Sequence, residues 1–268
     1  MDSVAHFHDH RLMAGLKEAE VAALEHRLSR RTFPIIADGE GGLLGSCFLI
    51  RVDGHELLVT AEHVIEIVLK RPNDFGVPLR SDGDSEMWTL GKSVAGYEKR
   101  LDAACVRLDP RVLEKLLEYW EPIDLDGAVV APAASYLAFG YPGDTTSVNS
   151  PEAVASKPEF VRLKPLAHPL PPFPSNARAY DERADIILQP WEAATVLGPG
   201  HAPVDPGGMS GAAMWAEAPT DDQSRLWVPG RDLKLAGVQV AHTPGSYTRS
   251  TRIEVVHAIA TRLLKATA

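Results

Sequence analysis

A serine, a histidine and an aspartate, far apart in the chain, are of the types that together carry out nucleophilic chemistry. Ser210 lies in "VDPGGMSGAA", residues 204–213, with three glycines around it and two alanines behind. That stretch suits a flexible linker or a tight turn presenting a hydroxyl. A serine hydroxyl is nearly inert at neutral pH. It becomes a nucleophile when a histidine takes its proton and a carboxylate orients that imidazole. Of the 10 histidines, His6, His8 and His10 in "HFHDH" have a metal-chelating look, but they fall in a terminus expected to be solvated and frayed. No metal or other cofactor is expected. His168 falls in a Pro-rich loop and His257 in a C-terminal helix. His63 ends the apolar run "LLVTAE", beside Thr60 and Ala61, whose small side chains let a ring lie on the backbone and still face outward. On the residues alone, a structural histidine fits there equally well. Asp102, in "RLDAACVRLD", precedes an apolar strand and reads equally as a solvated strand end.

These residues need elements to hold them. Residues 14–30, rich in Ala, Leu, Glu and Arg, predict a leading helix. In "GSCFLIRVDGHELLVTAEHV" two β-favouring runs flank Asp53-Gly54, a strong hairpin signal. A polar loop is expected over about 71–85, then a strand in "RLDAACVRLD" and a helix opened by Pro110. The runs "GAVVA", "SYLAFGYPG", "ADIILQP", "SGAAMW" and "KLAGVQVAH" predict further strands. Between them, residues 143–184 read as too Pro-dense for a regular element. A last helix is expected after a capping box of Thr251 and Glu254. Many short strands with turn signals point to a β-barrel architecture.

"LLVTAEHV", "RLDAACVRLD" and "DPGGMSGAA" resemble, in that order, the histidine, aspartate and serine segments of the chymotrypsin/trypsin-like serine proteases, as found in bacterial, disulfide-free members. "FGYPG" and "LAGVQV" resemble second-barrel strands flanking the nucleophile loop. The separations, 39 residues from His63 to Asp102 and 108 from Asp102 to Ser210, suit two motifs in a first barrel and one in a second. The resemblance implies an all-β fold of two six-stranded antiparallel barrels with N- and C-terminal helices. Its expected divisions are a helical extension over 1–30, a first barrel over 31–120, a second over 121–250, and a helix over 251–268. It implies a serine endopeptidase acting through an acyl-enzyme: His63 as base, Asp102 as its orienting acid, Ser210 as nucleophile. Backbone N–H groups of Gly208 and Ser210 would form the oxyanion hole, where glycine permits the required dihedrals. Asp109, on the wrong alternation, and Asp205, too near the serine loop, are weaker orienting acids.

Some positions depart from the family pattern. Met209 stands where digestive members have the aspartate that pairs with a newly cut N-terminus. Val240 stands where many relatives place a serine supporting the aspartate. Counting back from Ser210 puts Val204 near the pocket floor, or Asp205 after a one-residue slip, with Val240 and His242 along the wall. A small or apolar residue before the scissile bond is expected first, an acidic or polar one second. A protease-fold binding module without turnover is the alternative. An α/β-hydrolase elbow is disfavoured, since Ala212 replaces a glycine and only 58 residues follow Ser210.

Composition bounds the rest. A chain of 268 residues, 45% hydrophobic and 24% charged, is ordinary globular protein. A net charge of −9 without a dense basic block argues against nucleic acid as a partner. No secretory pattern opens the sequence and no apolar run approaches the roughly 20 residues that span a bilayer. Cys47 and Cys105 sit in apolar runs and read as small hydrophobes in a reducing setting. A cytoplasmic protein acting on protein or peptide substrates, without a membrane, is the expectation; no regulatory partner can be named.

Overall fold

The computed structural model describes residues 19, 21–37, 42–71, 73–79, 87–90, 93–125, 132–143, 146–150, 153–156, 158–175, 177–197, 205–217 and 233–267. Helix α1 (21–28) leads in, burying Leu24 and Leu28. Strands β1 (Thr32–Ala37), β2 (Leu43–Val52), β3 (His55–Thr60), β4 (Phe75–Pro78), β5 (Met87–Thr89), β6 (Val94–Glu98), β7 (Ala103–Arg107) and β8 (Ile123–Asp124) follow. With them come helices α2 (Glu62–Lys70) and α3 (Pro110–Leu117). They form one sheet, ordered β5-β4-β1-β2-β3-β7-β6, antiparallel except where β8 joins β2 in parallel.

The rest of the chain supplies β9 (Ser135–Gly140), β10 (Thr146–Ser150), β11 (Ala153–Ser156), β12 (Glu159–Leu163), β13 (Asp185–Leu188), β14 (Thr195–Val196), β15 (Ala213–Glu217), β16 (Leu233–Thr243) and β17 (Tyr247–Arg252). Helix α4 (Ile253–Thr267) closes it. The second sheet is antiparallel, ordered β13-β17-β16-β15-β9-β12-β14, and β10 pairs with β11 apart from it. The fold is thus β-rich and antiparallel, with eight and seven strands rather than six and six in the sheets the described residues form.

Local sequence explains the elements that carry the site. Asp53 and Gly54 take φ 49° and 76°, the two positive values of a tight turn joining β2 to β3. The unbroken apolar runs of those strands match burial on both faces. Asp109 caps α3 by accepting from Arg111 N at 2.9 Å, with Pro110 at the first helical position. One continuous apolar core joins both sheets and includes α4 residues Val256, Ile259 and Leu263.

Three local expectations are corrected. The polar loop over 71–85 contains β4, whose Phe75 and Val77 are buried. The Pro-rich 143–184 segment contains β10, β11 and β12; Phe160 of β12 stacks on Phe139 of β9 at 4.3 Å. Thr251 lies within β17 rather than capping a helix, and its hydroxyl donates to Leu101 O in the 3-10 turn that precedes β7. The predicted "GAVVA" strand, residues 127–131, lies outside the described residues.

Candidate active site

At the end of β3 the chain turns at Ala61 into α2, placing Glu62 and His63 in the helix's first turn. The first amides of a helix lack intrahelical acceptors. His63 N finds one in Asp102 Oδ1 at 3.0 Å. The same carboxylate lies against the ring, with His63 Nδ1 3.0 Å from Oδ1 and 2.9 Å from Oδ2. A carboxylate only accepts, so Nδ1 carries the proton and Nε2 presents its lone pair. Asp102 holds this pose at φ 53°, a left-handed conformation that aspartate tolerates better than most residues, after a 3-10 turn over Lys99–Leu101. The hydrogen bond to Asp102 raises the His63 pKa above the ordinary 6.5; desolvation opposes, and the charges of Asp102 and Glu62 add to the rise. Burial pushes the Glu62 carboxyl up.

The Ser210 loop is a series of tight turns. Asp205 Oδ1 accepts from Gly207 N at 2.7 Å, and Met209 N donates to Pro206 O at 2.8 Å. Gly208 and Gly211 take φ +89° and +91°. The amides of Gly208 and Ser210, on either side of Met209, donate no hydrogen bond among the described residues. Ser210 itself is half-buried.

Ser46 of β2 fastens this loop to the first sheet. Its amide donates to Ser210 O at 2.8 Å, and its Oγ donates to Gly208 O at 3.0 Å while accepting from Tyr141 N at 3.0 Å. Thr60, three residues before His63, donates to Ser46 O at 2.8 Å. The approach is close enough to require glycine. A Cβ on Gly211 would fall 2.0 Å from Ser46 O and 2.3 Å from Thr60 Oγ1. A Cβ on Gly45 would meet Ser210 O at 2.8 Å and Val64 Cγ2 at 2.9 Å, so the serine's carbonyl and the residue after His63 border one bare glycine. Among the described residues no hydrogen bond joins the Ser210 hydroxyl to the His63 ring.

The remaining described candidates lie on the Ser210 loop and on β16. Val204 lies outside the described residues. Asp205 is exposed and engaged in its own turn. Val240 is buried at a register shift on β16. His242 is half-buried, with Nε2 3.3 Å from Glu192 Oε1. Support near Asp102 comes from Thr251, through Leu101 O, rather than from position 240. Sequence reasoning missed Ser46 and Thr251. The only signal for Ser46 was a lone serine inside the apolar run "LLGSCFLI". No group of three His, Cys, Asp or Glu among the described residues could hold a metal ion. No described helix is long and apolar enough to cross a membrane.

No protein-family model matches the chain, and no curated protein does. A solved structure from work on how aromatic interactions drive the coupled folding and binding of the intrinsically disordered Sesbania mosaic virus VPg protein is similar over 85% of this chain and 88% of that one, at 17% identity and a TM-score of 0.45. That likeness is too distant to support an inference about this chain.

Proposed function

We propose that this chain is a serine endopeptidase, with its two sheets acting as the two barrels of a chymotrypsin-like fold. The observation that carries the reading is the His63–Asp102 contact at 2.9 Å, on the same sheet whose β2 residue Ser46 is hydrogen-bonded to the Ser210 loop. Ser210 Oγ attacks the peptide carbonyl as its proton passes to His63 Nε2, and a C–O bond forms. The carbonyl oxygen gains the negative charge and is met by the amides of Gly208 and Ser210. The C–N bond then breaks, His63 returns the proton to the leaving amine, and the acyl group stays on Ser210. Water, deprotonated by the same imidazole, releases the acid and restores the hydroxyl. Asp102 keeps the proton on Nδ1 throughout and stabilises the imidazolium.

One observation favours the second reading, a binding module without turnover: the absent hydrogen bond between Ser210 and His63. Such bonds are often long before substrate arrives and tighten in its complex. Incubating a proteome-derived peptide library with the wild-type protein and with Ser210→Ala decides between them. Cleavage by the wild type, reduced about 10⁶-fold in the variant, is the expected result. Intact peptides in both, with peptide binding retained, would establish the module instead.

A further inference from the structure

A trans peptide group is planar, and its C=O and N–H point in opposite directions. Whatever holds the carbonyl of one residue therefore aims the amide of the next. The amides of Gly208 and Ser210 belong to the Gly207–Gly208 and Met209–Ser210 peptides, both trans. Each of those peptides is held by its carbonyl. Met209 O accepts from Ala212 N at 2.8 Å, a bond within the loop's own turns. Gly207 O accepts from Gly143 N at 2.6 Å, a bond from a distant part of the chain.

The two peptides differ in how firmly they stand. Met209 is 0% exposed, and its packed side chain holds the second in place. The first lies between two glycines, which leave a peptide free to turn over at little cost. Gly208 takes φ +89°, and a Cβ there would meet Leu43 Cδ2 at 2.2 Å and Tyr141 O at 2.9 Å. Only glycine fits that conformation, yet glycine by itself does not select it. Ser46 binds Gly208 O and Ser210 O, which belong to the peptides that follow, so it places the loop without setting the Gly207–Gly208 plane. The side chain of Met209 offers no charge that could do so. Gly143 stands three residues beyond β9, and β9 pairs with β15 directly after the serine loop, so this donor and the loop share one support.

We propose that Gly143 is a positioning residue for the reaction: its N–H holds Gly207 O on one side of the loop and thereby turns Gly208 N–H to the other, toward the carbonyl oxygen under attack. The proposal rests on the endopeptidase reading and adds to it a residue outside the three motifs. Without this bond the Gly207–Gly208 peptide turns over, Gly208 N–H leaves the developing charge, and the negative end of a carbonyl dipole faces it instead.

The test removes one N–H. An amide-to-ester replacement, with glycolate in place of Gly143, takes the donor away without adding bulk, and Gly143→Pro removes it by ordinary mutation. Each should lower kcat on a library peptide by about 10²–10³-fold with KM within about twofold, as loss of one oxyanion donor does. Affinity for a peptide boronate, whose adduct on Ser210 carries the oxyanion, should fall by a similar factor, while the product peptide binds as before. Gly143→Ala keeps the donor, with a Cβ 3.3 Å from Gly207 O, and should retain most of the wild-type rate. Unchanged kcat and boronate affinity in the folded ester variant, or product binding lost as steeply as boronate binding, would overturn the proposal. The bond is also read without turnover, as a through-hydrogen-bond NMR coupling between the nitrogen of Gly143 and the carbonyl carbon of Gly207 in the wild-type protein. Its absence would overturn the proposal too. Failure of the endopeptidase reading shows separately, as a Ser210 that does not react with a fluorophosphonate while that coupling is present.

Discussion

At the residue scale, one carboxylate governs the histidine. Asp102 accepts from both the backbone and the ring of His63, and it raises the imidazole pKa above 6.5. A base must be neutral to act, so kcat/KM should rise with pH along a limb whose midpoint lies above 6.5. The stability that the protonated ring contributes has the opposite sense: it is fully present below about 6.5 and is lost as pH rises through the raised value. Asp102→Asn should lower kcat by about 10⁴-fold and move the limb down toward 6.5, measured by initial rates across pH. A limb unmoved by that change would mean the carboxylate does not set the histidine's charge. The three residues proposed for this chemistry stand out in the sequence because their neighbours are unusual: glycines around Ser210, small residues before His63, an acid opening the β7 run. Of these, the structure brings His63 and Asp102 into contact. Ser46 does not stand out, since a single polar residue in an apolar strand looks the same whether it joins two elements or only fills a core.

At the element scale, the Ser210 loop is held by its own turns, by Gln239 of β16 and by β2. Ser46 carries the restraint with its amide and its hydroxyl, and it contacts the carbonyls of Ser210 and Gly208. Removing the hydroxyl in Ser46→Ala leaves Tyr141 N and Gly208 O unpaired, which should lower stability by about 1–3 kcal/mol in urea unfolding. It should also reduce kcat by about 10–100-fold with KM little changed, because misplacing an oxyanion donor weakens only the transition state. Gly211→Ala forces a Cβ onto Ser46 O at a φ of +91° and should destabilise by more than about 3 kcal/mol. Wild-type kinetics in Ser46→Ala would show the loop to be preformed without β2. The elements hardest to read from sequence were β4, β10, β11 and β12, each four or five residues long. Runs that short give alternation too few residues to register, and the prolines around them argued the other way. Their existence depends on strands far away in the chain, as β12 depends on β9.

At the scale of the whole molecule, the two sheets are tied by crossings that local patterns do not reveal. Helix α4 leaves β17 of the second sheet and packs on the first: Leu263 lies against Gly96, where a Cβ would come within 3.1 Å of its own Cβ, and Cys105 Sγ donates to Val256 O at 3.5 Å. Thr251, one residue before β17 ends, reaches Leu101 beside Asp102. The sequence predicted a terminal helix, but not that it spans both halves and so fixes the strand following the aspartate relative to the strand following the serine loop. The proposed chemistry depends on that tie, because His63 follows β3 of the first sheet and Ser210 precedes β15 of the second. The most direct test is covalent. Wild-type protein treated with a fluorophosphonate and mapped by peptide mass spectrometry should carry one phosphonyl group on Ser210, with labelling abolished in Ser210→Ala and slowed at least about 10³-fold in His63→Ala. An unlabelled Ser210 in the folded wild type, or labelling equally fast without His63, would contradict the account.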